Sequence, residues 1–388
     1  MDTLIPFNKP YMSGKELFYI SNAYQRSQLA GDGSFTKDCS ALLEKISTSN
    51  KVLLTHSCTA ALEMAGILIN IQQGDEVIMP SYTFVSTANA IVLRGGTPVF
   101  VDVRADTLNL NENLIEEAIT SKTKAIIPVH YAGVSCEMNV INDIAKKYNL
   151  YVIEDAAQGI ASLYEGKPVG SLGDLGALSF HETKNVSSGE GGALLVNNSE
   201  FDTRSEIIRE KGTNRKAFIR GEVDKYTWVD IGSSFLPGEL TAAFLKAQLE
   251  TLDLITENRV SAWDYYHSLL VESELKGYLK RPVVPKNCQH NGHLYYVLLP
   301  SNISRQDIID DMKRLNINTV FHYVPLHSSP GGLNYGRAIG DLPVTNSASK
   351  SLLRLPLFTE ITKSQQEKVC NSLIRVIENR LFSRKTNS

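Results

Sequence analysis

The chain has 388 residues, which is more than one hydrophobic core usually serves, so we expect two domains. Its hydrophobic content of 43% and its charged content of 21% are those of a soluble globular protein, and its net charge of −3 argues against attraction to nucleic acid or to a membrane surface. No apolar run reaches the roughly 20 residues of a membrane helix, and residues 1–7 do not have the pattern of a signal peptide.

The cysteines indicate a reducing compartment. Five are present, they are scattered along the chain, and no pair has the spacing of zinc ligands. An odd number of scattered cysteines does not suit a disulfide framework. We therefore expect a cytoplasmic protein whose site holds no metal.

The first predicted elements lie beside two polar segments. Residues 31–36 form a glycine-rich loop, which either borders a site or is an ordinary turn. A short apolar strand at 52–54 then leads into a helix over residues 60–69 through Ser57 and Thr59, which are good N-cap residues. The exposed amides of that first helical turn, together with the Thr59 hydroxyl, would bind a phosphate. An ordinary capped helix is the alternative.

The strands that follow predict the fold class. A strand at 77–79 ends at Pro80, and Phe84 follows it, where its ring could stack on a flat ligand, although most aromatic side chains pack in the core. Two further strands, at 98–103 and 125–129, are each followed by a helical segment. This alternation predicts right-handed crossovers and a mostly parallel sheet covered by helices on both faces.

One carboxylate and one lysine come at the ends of two predicted strands. Apolar residues 150–153 place Asp155 at the carboxyl end of a strand, where ligands bind in open α/β sheets, and residues 175–180 place Lys184 just past another strand. A glycine-rich turn at 189–192 follows. Pyridoxal 5'-phosphate (PLP) is held as a Schiff base to a lysine, and a carboxylate keeps its ring nitrogen protonated. The pattern therefore predicts a PLP site, unless Asp155 only caps a helix and Lys184 is a solvated loop lysine.

A PLP site also makes demands on the residues around Asp155 and Lys184. Lys184 has no adjacent cation in the sequence, so desolvation must lower its pKa if the amine is to lose its proton near neutral pH. Gln158, three residues after Asp155, could lie on the same side of a helical turn and reach the ring. His130 follows the strand at 125–129 directly, where it is either catalytic or a structural hydrogen-bonding residue.

The regular alternation of predicted strands and helices ends near residue 250. The segments predicted there are helices at 254–266, 304–315 and 363–382 and strands at 294–299 and 318–322. We therefore expect a large α/β domain over residues 1–250 and a smaller α+β domain over residues 251–388.

Many short segments match the sugar aminotransferases of the DegT/DnrJ/EryC1/StrS family. The matching segments are Ser57–Ala60, Pro80–Phe84, Val101–Asp102, Pro128–His130, Glu154–Gln158, Ser179–Asn185, Gly189–Gly192, His322–His327 and Leu355–Leu357. The chain resembles this family over nearly its whole length. The resemblance implies a fold-type I PLP-dependent transferase, with pyridoxamine phosphate (PMP) in the half-reaction, and a homodimer whose active site lies at the subunit interface.

The resemblance also implies a role for individual residues. Lys184 would form the Schiff base and shuttle protons, Asp155 would pair with the ring nitrogen, Gln158 would contact the side of the ring, and Phe84 would stack on its face. The phosphate ligands that it implies are Cys58, Thr59 and Ser179.

One implied contact comes from a partner subunit. Many family members supply an asparagine to the phosphate from a segment like Gly-Tyr-Asn-Tyr-Arg. Here the segment is Gly232–Leu236, which has neither asparagine nor arginine. The resemblance leaves Ser234 as the hydrogen-bond donor at this place.

Five segments resemble one subgroup of the family, which transfers an amino group from L-glutamate to C4 of TDP-4-keto-6-deoxy-D-glucose. They are Ser57–Ala60, Arg209–Arg215, Val223–Trp228, Asp230–Ser234 and Val320–Tyr323. The implied product is TDP-4-amino-4,6-dideoxy-D-galactose, for surface polysaccharides such as O-antigen and enterobacterial common antigen. Candidate ligands of the nucleotide sugar are Arg215, Lys225, Tyr226 and His322.

Several alternatives stay open. A sister enzyme would give the gluco epimer or use another keto-sugar. A PLP-dependent sugar dehydratase has histidine in place of Lys184, and a PLP-binding regulator needs a DNA-binding module. An amino-acid aminotransferase needs an arginine for the α-carboxylate, and Arg354 is a candidate for it.

Overall fold

The computed structural model describes residues 4–382, which form one large sheet, two small sheets and the helices around them. The strands of this range are β1 (Lys51–Thr55), β2 (Glu76–Pro80), β3 (Thr97–Val101), β4 (Thr123–Ile126), β5 (Tyr151–Asp155), β6 (Leu163–Tyr164), β7 (Lys167–Pro168), β8 (Leu175–Ser179), β9 (Gly192–Val196), β10 (Cys288–Gln289), β11 (Tyr295–Leu298), β12 (Arg337–Ala338) and β13 (Leu352–Leu355).

Helices alternate with most of these strands. The α-helices of the described range are α1 (Glu16–Gln25), α2 (Ser34–Ser47), α3 (Cys58–Leu68), α4 (Val85–Val92), α5 (Ile115–Ala118), α6 (Met138–Tyr148), α7 (Asp202–Arg209), α8 (Arg215–Ile219), α9 (Glu239–Leu249), α10 (Leu252–Leu269), α11 (Val271–Leu275), α12 (Arg305–Arg314), α13 (Pro330–Tyr335), α14 (Pro343–Ser351) and α15 (Lys363–Phe382).

The large sheet is mostly parallel. Its strand order is β1-β9-β8-β5-β4-β2-β3-β12, and within it β9 runs antiparallel to both of its neighbours while the pairs from β8 to β12 are parallel. Strands β8 and β9 are joined by a hairpin loop, a connection that antiparallel strands permit. The predicted α/β fold with a mostly parallel sheet is confirmed.

Both faces of the sheet are buried, as the apolar runs predict. Successive side chains of a strand point to opposite faces. Val77 and Met79 therefore pack with Leu68 of α3 on one face, while Ile78 between them packs with Ile141 of α6 on the other. Full burial of such a side chain stabilises the fold by about 1.5–3 kcal/mol.

The segments after residue 250 build a second core around the antiparallel pair β11 and β13. Trp263, Tyr295, Leu353 and Leu373 pack together there, and Ile5 from the start of the chain joins them. However, β12 pairs with β3 of the large sheet, and β10 pairs with β6. The division at residue 250 into two domains stays a prediction.

Two predictions of local structure were wrong. Residues 318–322 do not form a strand, because the segment makes a single bridge, between Val320 and Arg354, after which the Phe321 carbonyl accepts hydrogen bonds from the Arg354 guanidinium. Helix α2 begins at Ser34, inside the loop predicted for residues 31–36. The carboxylate of Glu239, some 200 residues away in the sequence, accepts the N–H groups of the α2 start and so replaces a local cap.

Candidate active site

A cavity of about 750 Å³ lies at the carboxyl ends of the parallel strands. The turns after β1, β2, β5 and β8 line one side of it, and segments 293–294, 320–323 and 354–357 line the other. Eight of the residues predicted from the sequence line this cavity, namely Cys58, Thr59, Phe84, Asp155, Gln158, Ser179, Lys184 and His322. The fold thus brings together side chains that are spread over 265 positions of the sequence, from 58 to 322.

Lys184 lies on the hairpin loop between β8 and β9. The Lys184 backbone N–H donates to the His181 carbonyl (2.9 Å), which fixes the turn, and the residues after it are buried. Burial lowers the pKa of the Lys184 amine below its ordinary value, while the Cys58 and Asp155 side chains oppose this shift. The positive charge of Arg354 lowers the pKa further. Tertiary structure therefore supplies the cation that the local sequence lacked.

Asp155 is the last residue of β5 and is only 5% exposed. One carboxylate oxygen accepts a hydrogen bond from the Thr87 hydroxyl (2.7 Å), and the other accepts the backbone N–H of Ala157 (3.2 Å). The Thr87 hydroxyl also contacts that of Thr83 (2.9 Å), so a chain of buried hydroxyl groups supports the carboxylate. Because Asp155 lines the cavity and no α-helix of the described range follows it directly, it is not simply a helix cap.

Gln158 is held at both ends of its amide. Its Oε1 accepts the backbone N–H of Ala132 (2.7 Å), and its Nε2 donates to the hydroxyl of Tyr323 (2.9 Å). The Tyr323 ring stacks on that of His322, with centroids 3.7 Å apart, and the Tyr131 hydroxyl lies 2.7 Å from Nδ1 of His322. This network gives the cavity wall a fixed shape.

The start of α3 is open to the cavity. Ser57 is its N-cap and accepts the backbone N–H of Ala60 (3.1 Å), while the Thr59 hydroxyl lies 2.8 Å from that of Ser86. Gly192 lies so close to this turn that a Cβ there would clash with the backbone of Ser57 and Cys58. A glycine at this place therefore allows β9 to approach the helix start.

These groups fit a PLP molecule. The described residues place an amine, a buried carboxylate and a helix N-terminus around one cavity, and the ring of Phe84 is 57% exposed there. The amine, the carboxylate and the helix amides are the partners that the aldehyde carbon, the ring nitrogen and the phosphate of PLP require. Burial raises the pKa of the Cys58 thiol well above its ordinary value, so this thiol stays neutral and is a poor nucleophile.

Comparison with known proteins identifies the family. A model described as the DegT/DnrJ/EryC1/StrS aminotransferase family matches residues 11–374. The chain belongs to this aminotransferase family. The aminotransferase is 36% identical to the uncharacterized protein MJ1066 of Methanocaldococcus jannaschii, over 84% of this chain and 86% of that one. It is 30% identical to the spore coat polysaccharide biosynthesis protein SpsC of Bacillus subtilis, over 96% and 97% of the two chains.

Solved structures show the same fold. Spr1654 of Streptococcus pneumoniae in its PMP-form superposes on the aminotransferase with a TM-score of 0.90 at 26% identity, covering 98% of this chain and 100% of that one. Both the predicted family and the predicted fold-type I architecture are confirmed.

Four predicted residues of this aminotransferase do not line the cavity of the single chain. Arg215 lies 3.7 Å from the Glu210 carboxylate, and Lys225, Tyr226 and Ser234 are exposed on the same segment. The structure therefore does not bring Arg215, Lys225 or Tyr226 to the substrate cavity within one subunit. The contribution of Ser234 across a subunit interface stays a prediction, and so do the roles of Arg215, Lys225 and Tyr226 in binding the nucleotide sugar.

His130 has a structural role. It is fully buried, its Nε2 lies 2.9 Å from the Glu154 carboxylate, and its Nδ1 accepts the backbone N–H of Cys136 (3.1 Å). The same carboxylate accepts the N–H groups of Leu172 and Gly173 (both 2.6 Å). His130 does not line the cavity, so the structural alternative was correct.

Sequence reasoning missed several cavity residues. Ser86 lies on α4, while Arg259 and His293 come from the part after residue 250. Thr87, also on α4, does not line the cavity but donates a hydrogen bond to Asp155, which does. Isolated threonine and serine residues in a helix give no pattern. The segment Asn291–His293 gave a weak signal, because two polar side chains, Asn291 and His293, stand directly before the apolar run of β11.

Two kinds of feature, a membrane-spanning helix and a metal-binding cluster, were not found among the described residues. No helix within residues 4–382 is both long and apolar enough to span a membrane. In the same range no cluster of three or more His, Cys, Asp or Glu side chains could hold a metal ion.

Proposed function

We propose that this PLP-dependent sugar aminotransferase transfers the amino group of L-glutamate to C4 of TDP-4-keto-6-deoxy-D-glucose. The product would be TDP-4-amino-4,6-dideoxy-D-galactose, for surface polysaccharide biosynthesis in the cytoplasm. The observation that carries the proposal is the presence of Lys184 and Asp155 in one cavity. The description of SpsC as a polysaccharide biosynthesis protein supports the pathway, and the sequence segments resembling one subgroup support the sugar.

The cofactor prediction is confirmed, since Spr1654 was solved in both a PLP-form and a PMP-form. When bound, PLP supplies an electron sink for the carbanion at the reacting carbon. Lys184 would attach it, Asp155 would keep its ring nitrogen protonated, and Phe84 would stack on its face. Ser179, Cys58, Thr59 and the free amides of α3 would hold its phosphate.

Lys184 would also move the protons of the reaction. Since desolvation favours its neutral form, the amine can take a proton from Cα of glutamate and later deliver one to C4 of the sugar. A positioned base of this kind contributes about 10²–10⁴ in rate. Delivery from one face of the ring would set the configuration at C4.

The nucleotide would be bound with help from a second copy of the chain. The segment that carries Arg215, Lys225, Tyr226 and Ser234 exposes large apolar side chains, among them Trp228 at 79%. Such a surface suits the interface of a homodimer. Across it these residues would reach the partner's cavity, where His322 lines the wall.

Borohydride trapping tests the proposal directly. We expect purified protein to be yellow, and reduction should fix the cofactor on Lys184, as read by peptide mass spectrometry. Lys184→Ala should abolish transamination, while Lys147→Ala, which changes an exposed lysine paired with Glu116, should leave it unchanged. Near wild-type turnover by Lys184→Ala would overturn the mechanism.

Substrate assays separate the alternatives. We expect TDP-4-keto-6-deoxy-D-glucose to be a far better amino acceptor than simple keto acids. The NMR coupling of H4 in the product distinguishes the galacto from the gluco epimer. Faster reaction with keto acids would indicate an amino-acid aminotransferase, and release of a deaminated sugar would indicate a dehydratase.

A further inference from the structure

Two arginine side chains in the cavity wall have no acidic partner. Arg259, on α10, and Arg354, on β13, both line the cavity. Every hydrogen bond that their guanidinium groups make within residues 4–382 goes to a backbone carbonyl, and neither group makes an ion pair there. Because a guanidinium stays charged in proteins, each of them brings a full positive charge to the wall.

Arg259 is the more buried of the two, with only 3% of its surface exposed. Its Nε donates to the Gly292 carbonyl (3.1 Å). Its Nη2 donates to the carbonyls of His293 (2.6 Å) and Leu357 (3.3 Å). These bonds fix the plane of the guanidinium and leave Nη1 without a partner in the described range. A buried charge with only neutral partners costs free energy, and an anion that enters the cavity would offset this cost.

Arg354 is held in a similar way but lies in a more open part of the wall. Its Nε (3.1 Å) and its Nη2 (2.9 Å) both donate to the Phe321 carbonyl, and its guanidinium carbon lies 4.8 Å from the centre of the Phe7 ring. The side chain of Phe321 is 48% exposed. The wall thus presents one deep and one shallow positive charge, both fixed by neutral groups.

The anion for these charges has to come from a ligand. Asp155 and Glu190 are the acidic side chains of the described range that line the cavity. Asp155 accepts the Thr87 hydroxyl (2.7 Å), and the Glu190 carboxylate lies 3.6 Å from the ring of His181. The phosphate of the cofactor would lie on the opposite side of the cavity, at the start of α3. A carboxylate or a diphosphate of the substrates remains.

The contacts of Arg259 place it near the reacting amine. The His293 carbonyl accepts its hydrogen bond, and Nδ1 of the same histidine lies 2.9 Å from Oδ1 of Asn185, the neighbour of Lys184. In the proposed substrates, the α-carboxylate of glutamate is bonded directly to the reacting carbon, whereas the sugar ring separates the diphosphate from C4. The α-carboxylate is therefore the anion that fits the place of Arg259.

We propose that Arg259 and Arg354 bind the two carboxylates of the amino donor, Arg259 the α-carboxylate beside the reacting carbon and Arg354 the γ-carboxylate in the more open part. The proposal rests on the proposed function, in which the donor is L-glutamate. Arginine binds carboxylates through parallel hydrogen bonds, and guanidinium groups that are already fixed lose little freedom on binding. Two such groups on one wall favour a dicarboxylate over a donor with one carboxylate.

The two half-reactions of the holoenzyme separate donor binding from the other steps. With L-glutamate alone, visible absorbance follows conversion of the PLP-form to the PMP-form, and with the keto sugar alone it follows the return. In Arg259→Gln and in Arg354→Gln we expect kcat/KM for glutamate to fall about ten- to a hundredfold, while the return with the keto sugar changes less than about twofold. Glutamine at either position can still donate to a backbone carbonyl, which limits damage to the fold.

Donor analogues test each guanidinium separately. The α-amide of glutamate lacks the α-carboxylate, and glutamine lacks the γ-carboxylate. Wild type should prefer glutamate over both. Arg259→Gln should lose the preference over the α-amide and keep the preference over glutamine, and Arg354→Gln should show the reverse. A packing defect slows all donors alike and leaves these ratios unchanged.

Arg281→Gln is the matched control. Arg281 also donates to a backbone carbonyl, that of His267 (2.7 Å), but it is paired with Glu274 and does not line the cavity. We expect this variant to match wild type in both half-reactions and in its preference among the three donors.

Failure of the inference and failure of the proposed function look different. If wild-type protein neither captures PLP on Lys184 nor reacts with glutamate, the function fails, and the inference fails with it. If wild type reacts but Arg259→Gln and Arg354→Gln keep its donor preferences, only the inference is overturned. Equal losses in both half-reactions would indicate packing and also overturn it. Weaker binding of TDP to Arg259→Gln than to wild type would assign this guanidinium to the diphosphate instead.

Discussion

At the scale of single residues, the reactive groups are held by buried polar partners. Lys184 is partly buried without an ionic partner, Asp155 depends on the Thr87 hydroxyl, and Gln158 depends on Tyr323. A buried polar group gains from each hydrogen bond and loses more when a partner is removed. These side chains are therefore held in fixed positions, while burying the charge of Lys184 lowers the stability of the fold; the proposed function would require this cost.

We expect Lys184→Met to be more stable than wild type near pH 7 when both lack cofactor. Burial lowers the pKa of this amine from 10.5, so desolvating the group costs free energy at neutral pH. The cost is lost as the pH rises from the lowered pKa toward 10.5, because the amine then becomes neutral in both the folded and the unfolded state. Urea titrations at pH 7 and at pH 10 check this. A stability difference that stays constant with pH would contradict the prediction.

Thr87→Val should destabilise the cofactor-free protein by about 1.5–3 kcal/mol, the range for a hydrogen bond to a charged group. The reason is that Oδ2 of Asp155 loses its donor at 2.7 Å while it stays buried. Thr83→Val is the comparison variant. It should lower the free energy of unfolding by less, because the Thr83 hydroxyl bonds only to the Thr87 hydroxyl and not to Asp155. Urea unfolding measures both variants. Equal costs would show that the carboxylate does not depend on Thr87.

At the scale of elements, the site depends on how closely β9 approaches the start of α3. The hairpin loop between β8 and β9 carries Lys184, and the first residue of β9, Gly192, packs against the turn at Ser57. One glycine thus links the position of the lysine to that of the helix amides. A side chain there would move the loop that carries Lys184 away from the helix start, and so separate the groups proposed to bind the aldehyde carbon and the phosphate of the cofactor.

Gly192→Ala should therefore weaken cofactor binding by tenfold or more, because its Cβ would overlap backbone atoms of Ser57 and Cys58. Gly191→Ala is the matched control, since its Cβ would mainly meet the Ser188 hydroxyl, which can rotate away. The dissociation constant of PLP from each variant is the measurement. Equal affinities of the two variants would contradict the prediction.

At the scale of the whole molecule, the cavity has two sides. Turns that follow strands of the large sheet line one side, and segments after residue 250 line the other. Asp102, at the end of β3, accepts the backbone N–H groups of Val344 (2.9 Å) and Thr345 (2.8 Å) at the start of α14. Arg337 donates two hydrogen bonds to the Glu76 carboxylate (2.8 and 2.9 Å), beside the contact of β12 with β3. These contacts attach the later part of the chain to the sheet and so fix the cavity walls.

We expect Asp102→Ala to lower the free energy of unfolding by about 2–4 kcal/mol, because it leaves buried N–H groups of α14 without an acceptor. Asp38→Ala is the control, since Asp38 makes an exposed ion pair with Lys246, and pairs of this kind contribute about 0–1 kcal/mol. Urea unfolding measures both changes. If the two variants lose the same free energy, Asp102 does not attach α14 to the sheet.

The sequence predicted which helices and strands form better than it predicted their first and last residues. Strands of continuous apolar residues and helices between them follow from local patterns, and β2, β5, α12 and α15 lie within two residues of their predicted positions. The start of α2 was wrong because its cap is Glu239, and the strand at 318–322 was wrong because the Arg354 side chain bonds the Phe321 carbonyl. Both errors come from partners that no local pattern contains.

The sequence by itself determined the family and the parallel sheet. It also determined the places of Asp155 and Lys184, because each lies at or shortly after the end of a strand that the local apolar residues already predict. Tertiary structure decided the surroundings of those two residues. Thr87 reaches Asp155 across 68 residues, and His293 reaches Asn185 across 108. Such distances are closed by the path of the folded chain, and the energies that tune an amine or a carboxylate depend on those contacts rather than on neighbours in the sequence.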